Sequence, residues 1–117
     1  MTTFDGGAFL DTAKKLQGGT AADKRSAISR AYYAAFTVAK EYVRACNADE
    51  IHDAGADHAS VPRYLQRLRH FQESNKLLKL KDYRHASDYC QPVIHLEAKV
   101  DTAISSAMQL VAKYQAM

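Results

Sequence analysis

The chain has 117 residues, 47% of them hydrophobic and 25% charged, with a net charge of +3. That length supports one domain, residues 1–117, with one adequate core and nothing larger. Lys, Arg, Asp or Glu interrupts every apolar run before it reaches membrane-spanning length, so no membrane partner is expected.

Residues Met1-Thr2-Thr3-Phe4-Asp5 carry neither the basic nor the apolar part of a secretion signal, and the expected location is cytoplasmic. Cys46 and Cys90 form no C-x-x-C pair and read as reduced, partly buried thiols.

Phe9, Leu10, Ala13 and Leu16 recur at helical spacing and predict a first helix over about residues 6–17. Gly18-Gly19 is expected to stop it by taking the left-handed conformation of a helix C-terminus. Thr20, with Asp23 three residues on, reads as an Asp variant of the capping box and opens a second helix over about 21–46. There Ile28, Tyr32, Ala35, Phe36, Ala39 and Val43 form an apolar stripe. Its dense alanines favour helix and let neighbours approach closely, which makes it the central helix.

Residues 47–59 look like an acidic loop containing Gly55. Ser60 is expected to cap a third helix, with Pro62 in its first turn and Val61, Tyr64, Leu65, Leu68 and Phe71 on its apolar face. Glu73-Ser74-Asn75 reads as a short break. A fourth helix over about 76–90 should bury Leu77, Leu80, Tyr83 and Ser87 and end at Pro92. A fifth, over about 94–115, carries Leu96, Val100, Ala103, Ile104, Ala107, Leu110, Val111 and Tyr114. No strand-like alternation and no internal repeat occurs. The predicted fold class is all-α, an antiparallel up-and-down bundle of four to five helices.

The small net charge hides a polarity. Residues 45–59 hold Asp49, Glu50, Asp53 and Asp57 and no Lys or Arg. Residues 61–85 hold Arg63, Arg67, Arg69, Lys76, Lys79, Lys81 and Arg84 against Glu73 and Asp82. An acidic stretch followed by a basic one fits either a solvated face or an anionic or charge-matched partner.

Arg84 and Asp88 lie four apart, so on a helix they share a face and can pair. Leu77 and Leu80 draw Arg84 partly inward, where it needs a carboxylate, a phenol or a bound anion. His85 lies on a neighbouring stripe, and the second helix offers Ser26, Ser29, Arg30 and Tyr33 on its polar side. Two readings stay open. One is a buried polar clamp that fixes packing register. The other is an anion or phosphate site, with Arg84 as clamp and His85 or a tyrosine as proton-transfer group. His52, His58, His70, His85 and His95 lack the i, i+4 pairing of a helical metal site. With no Gly-rich phosphate loop, G-x-S-x-G or Cys–His arrangement either, neither a metal nor a cofactor is expected.

The run Arg25-Ser26-Ala27-Ile28-Ser29-Arg30-Ala31-Tyr32-Tyr33-Ala34-Ala35-Phe36, then His58, then Leu80-Lys81-Asp82-Tyr83-Arg84-His85-Ala86-Ser87-Asp88-Tyr89, resembles HEPN-superfamily proteins over about residues 5–112. The likeness is to small stand-alone members with an S-R-A-Y-Y-A-A-F helix and a later R-x-x-S-D-Y. The resemblance implies a helical bundle, usually a homodimer. It also implies a ribonuclease toxin or defence protein, with a minimal nucleotidyltransferase antitoxin or another defence-system protein as partner.

In catalytic members an R-x(4–6)-H motif cuts RNA without metal. The His supports proton transfer from the ribose 2′-OH, the Arg stabilises the phosphorane, and two motifs meet across the dimer. On that resemblance Arg84 and His85 are the candidate catalytic pair, with Arg30, Tyr33, His58, Asp88 and Tyr89 as an accompanying binding or polar cluster. At the expected place Arg84 and His85 are adjacent rather than spaced. The R-x(6)-H match, Arg63 to His70, lies on the preceding helix. Neighbouring helical residues point about 100° apart, so one protomer is not expected to aim Arg84 and His85 at one phosphate, whereas two facing copies would. The expected function is a HEPN-like component of a toxin–antitoxin or phage-defence system that binds RNA through residues 61–85, with a metal-independent endoribonuclease using Arg84 and His85 as one rival reading. The alternative is a non-catalytic interaction or nucleotide-binding subunit.

Overall fold

The computed structural model describes residues 5–46, 54–89 and 95–115, with the side chains of 54–59 and of Tyr89 outside the description. Among these residues there are five helices and no strand: α1 (Gly6–Gln17), α2 (Ala21–Cys46), α3 (Ala54–Arg67), α4 (Phe71–Tyr89) and α5 (Leu96–Gln115). This is the expected all-α bundle. None of the described helices is long and apolar enough to cross a membrane.

α1 starts where Asp5 accepts hydrogen bonds from the backbone N–H groups of Gly7 (3.0 Å) and Ala8 (3.3 Å), which satisfies donors a helix start leaves open. Gly6 is buried against the end of α5 and donates its N–H to Gln115 Oε1 at 2.8 Å. A Cβ on Gly6 would lie 3.0 Å from Val111 Cγ1, so the missing side chain permits this approach.

The α1–α2 turn departs from expectation. Gly18 has φ −91°, and no described glycine has positive φ. The turn closes with Gly19 N–H donating to Leu16 O at 3.1 Å. A side chain on Gly19 would collide with Asp23, so this glycine serves through lack of bulk and not through left-handed geometry. The capping box is present as expected: Thr20 Oγ1 accepts from Asp23 N, and Asp23 Oδ2 accepts from Thr20 N, both at 3.1 Å.

α3 begins at Ala54, so residues 54–59 are helical backbone and not loop; residues 47–53 lie outside the described ones. Pro62 therefore sits inside α3 and not in its first turn. The break expected at 73–75 falls instead at Leu68–His70. There His70 N–H donates to Leu65 O (2.8 Å), Arg69 N–H donates to Gln66 O (2.9 Å), and Arg69 takes φ 65°. This is a Schellman closure with arginine at the left-handed position. Phe71 then opens α4 at 57% exposure instead of joining the apolar face of α3. Cys46 ends α2 exposed, not partly buried, and Cys90 lies outside the described residues.

The core surrounds α2, which touches each of the other four helices. Ala27, Ala31, Ala34, Ala35 and Ala39 are fully buried along it, beside Ile28, Tyr32 and Val43. Small side chains bring helix axes close. Val61, Leu65, Leu77, Leu80, Val100, Ile104 and Leu110 fill the remaining space.

Side-chain pairs fix the directions. α5 runs antiparallel to α1, with Gln17 Nε2 on Asp101 Oδ1 at 2.6 Å, and parallel to α2, with Lys24 on Glu97 at 2.9 Å. α4 runs antiparallel to α2 and α5. The start of α2 thus meets the end of α4. The end of α2 meets the α3–α4 turn and the end of α5.

Candidate functional site

The start of α2 and the end of α4 hold most of the residues that the sequence singles out. Arg84 Nε lies 3.4 Å from Asp88 Oδ2, one helical turn on, with side-chain exposures of 43% and 35%. Asp88 Oδ1 accepts from Ser29 Oγ at 3.2 Å, and Arg25 Nη1 donates to the Ser87 carbonyl at 3.1 Å. These contacts tie α2 to α4. They do so at the surface, where solvent screens an ion pair, so the Arg84–Asp88 clamp is open and not buried. Arg84 also lies over the buried Tyr32 ring, 5.5 Å from its centroid. Burial pushes the Tyr32 phenol up to about 12, against a smaller opposing pull from the Arg84 charge.

Two clefts flank Asp88. One, of about 220 Å³, is lined by Arg25, Ser26, Ser29, Arg30 and Asp88. The other, of about 190 Å³, is lined by Lys81, Arg84, His85 and Asp88. Arg84 and His85, adjacent in sequence, both line this cleft, and Lys81, three residues before Arg84, completes it.

Arg30 reaches the first cleft and a third one with Ala8, Phe9 and Thr12. Tyr33 lines neither Asp88 cleft. It stands 51% exposed against Phe9, with ring centroids 5.5 Å apart. The side chains of His58 and Tyr89 lie outside the description, although their backbones belong to α3 and α4. Among the described residues no group of three or more His, Cys, Asp or Glu side chains converges as metal ligands would.

Ser87 is buried, and among the described residues its hydroxyl has no hydrogen-bond partner. Local helical spacing exposes Lys81, Arg84, His85 and Asp88 in the sequence, whereas Arg25 joins the site only through the packing of α4 on α2.

Sequence reasoning missed a second cluster at the other end of the bundle. His70 Nδ1 lies 2.8 Å from the hydroxyl of the buried Tyr114. The rings of Tyr42, His70 and Tyr114 stack on one another, with centroids 4.8–5.8 Å apart. Burial raises the Tyr114 phenol above its ordinary value, and the neighbouring Glu73 charge adds to the shift. Burial disfavours an ionised Glu73. Its own backbone N–H, the Lys113 ammonium at 3.1 Å and His70 outweigh that and hold the carboxyl low. The R-x(6)-H match thus ends in a histidine engaged by two tyrosines. Its partners are 28 and 44 residues away, and no local pattern announces them.

Comparison with protein-family models, with curated proteins and with solved structures finds no match to this chain.

Proposed function

We propose that this chain is a HEPN-like, RNA-binding component of a cytoplasmic toxin–antitoxin or phage-defence system. It acts as a homodimer beside a nucleotidyltransferase-type or other defence partner, and it cuts RNA without metal. The observation that carries the reading is the cleft in which Lys81 and Arg84 stand beside His85. The resemblance in the Arg25–Phe36 and Leu80–Tyr89 runs supplies the reaction.

In this reading His85 takes the proton of a ribose 2′-OH. The 2′-oxygen attacks phosphorus and the bond to the 5′-oxygen breaks. The leaving oxygen takes a proton from water or from protonated His85. Arg84 and Lys81 hold the charge that builds on the non-bridging oxygens. The products are a 2′,3′-cyclic phosphate and a 5′-hydroxyl.

A second reading has an observation of its own. Arg84 already has Asp88 at 3.4 Å and the Tyr32 ring beneath it, an arrangement suited to a non-catalytic interaction or nucleotide-binding subunit. Incubating the purified protein with total RNA in EDTA separates the two. Cleavage leaving cyclic phosphate ends, and lost in both Arg84→Ala and His85→Ala, supports the nuclease. Absence of cleavage in every sample supports the non-catalytic subunit.

A further inference from the structure

We propose that Lys79 of α4 and Lys99 of α5, which converge on Tyr83 across the α4–α5 seam, form a second contact for the phosphodiester backbone of single-stranded RNA. The inference rests on the RNA reading above and adds a surface that reading does not use.

Each ammonium lies 5.7 Å from the Tyr83 ring centroid. Glu97 pairs with Lys24, Glu73 with Lys113 and Asp88 with Arg84, and the exposed Asp82, three residues after Lys79, forms no ion pair with either lysine. Among the described residues, no ion pair neutralises Lys79 or Lys99. A phenol ring attracts a cation through its quadrupole but carries no net charge, so it positions both ammoniums and cancels neither. Two positive charges held at one ring raise the local potential and favour an anion between or beside them.

Lys99 lies outside the basic 61–85 stretch and reaches it only through the antiparallel packing of α5 on α4. Lys79 is five residues before Arg84, about 7.5 Å along the helix axis. It also lies about 140° around α4 from Arg84, so the lysine pair is a contact separate from the Arg84 cleft. The Tyr83 ring is half-buried with ammoniums over it, which leaves it poorly placed to stack a base. The contact is therefore to backbone, without sequence preference.

The test is fluorescence anisotropy with a labelled oligouridylate of about 16 nucleotides, titrated from about 50 to 500 mM salt. The double variant Lys79→Gln/Lys99→Gln should lower the log–log salt slope by about 1.4, and Lys99→Gln alone by about 0.7. Lys79→Arg/Lys99→Arg should keep the wild-type slope. Thermal melts confirm that each variant is folded.

A slope unchanged in both Gln variants, while Arg84→Ala weakens binding, overturns this inference and leaves the RNA reading standing. A reduced slope in the Gln variants with no effect of Arg84→Ala supports the lysine pair and counts against the Arg84 cleft. Wild type that binds no RNA at the lowest salt overturns both. Polyglutamate that binds wild type more tightly than the oligouridylate assigns the surface to an acidic protein and overturns the nucleic-acid assignment.

Discussion

Each end of the bundle holds a histidine, in contrasting surroundings. At one, Arg84, His85, Asp88 and Lys81 surround a solvent-open cleft, and the Arg84–Asp88 pair is more than a third exposed. At the other, the half-buried Tyr42 and His70 stack with the buried Tyr114, and a hydrogen bond joins the last two. Ser29 and Tyr42 mark the two ends on α2, about 20 Å apart along its axis. The comparison teaches that residue type does not separate a latch from a candidate site. Burial does: His70 is half-buried and stacked on two tyrosines, whereas His85 is exposed and lines a cleft with Lys81 and Arg84.

The sharpest way to break this contrast is Tyr114→Ala. Tyr114 is 4% exposed and contributes both the stack and the hydroxyl, so its truncation should cost about 3–5 kcal/mol in a urea melt. A loss under about 1 kcal/mol would mean that the aromatic end is no latch.

Alkaline titration probes the other end next. Tyr32, beneath Arg84, ionises at about 12 in the folded protein against 10.0 in the unfolded chain. The unfolded chain therefore loses its proton first. The stability from a neutral Tyr32 is complete below pH 10.0 and fades as pH rises to about 12. The loss is on the order of 2–3 kcal/mol. Tyr32→Phe should flatten that part of the pH–stability curve. An unchanged curve would show that Tyr32 does not control it.

Arg69→Gly sharpens the account of how His70 is placed. Arg69 holds φ 65° at the end of α3, a conformation that costs an L-residue about 1 kcal/mol more than glycine. The variant should therefore be more stable by roughly that amount. Destabilisation would show that the arginine side chain matters more than its backbone.

Asp88→Ala should have the smallest effect, under about 1 kcal/mol, because the pair is exposed and screened. A cost of about 3–5 kcal/mol would restore the buried clamp.

Much of the fold was legible in the sequence. α1, α2 and α5 follow from apolar periodicity and a capping box, which are local signals. The start of α4 was misplaced because two of its polar residues answer to partners outside the helix. Glu73 and Ser74 looked like a turn, but Lys113 holds the Glu73 carboxylate, and Ser74 Oγ donates to the Pro62 carbonyl at 2.9 Å. The true break carries arginine where glycine or asparagine would have marked it. Pro62 resembled a helix start because proline is well tolerated there, and only the structure shows the helix running through it. Arg84 and Asp88 were found by helical spacing. Lys99, His70 and Tyr114 became visible as neighbours of other groups only once the helices were packed.

The most direct measurement is the affinity of single-stranded RNA for wild type, Arg84→Ala and Tyr114→Phe at low salt, each first shown to be folded. Tyr114→Phe keeps the buried ring and removes only the hydroxyl at the end away from Arg84. The account predicts weaker binding by Arg84→Ala, by about tenfold, and unchanged binding by Tyr114→Phe. Full binding by Arg84→Ala, or equal losses in the two variants, would contradict it.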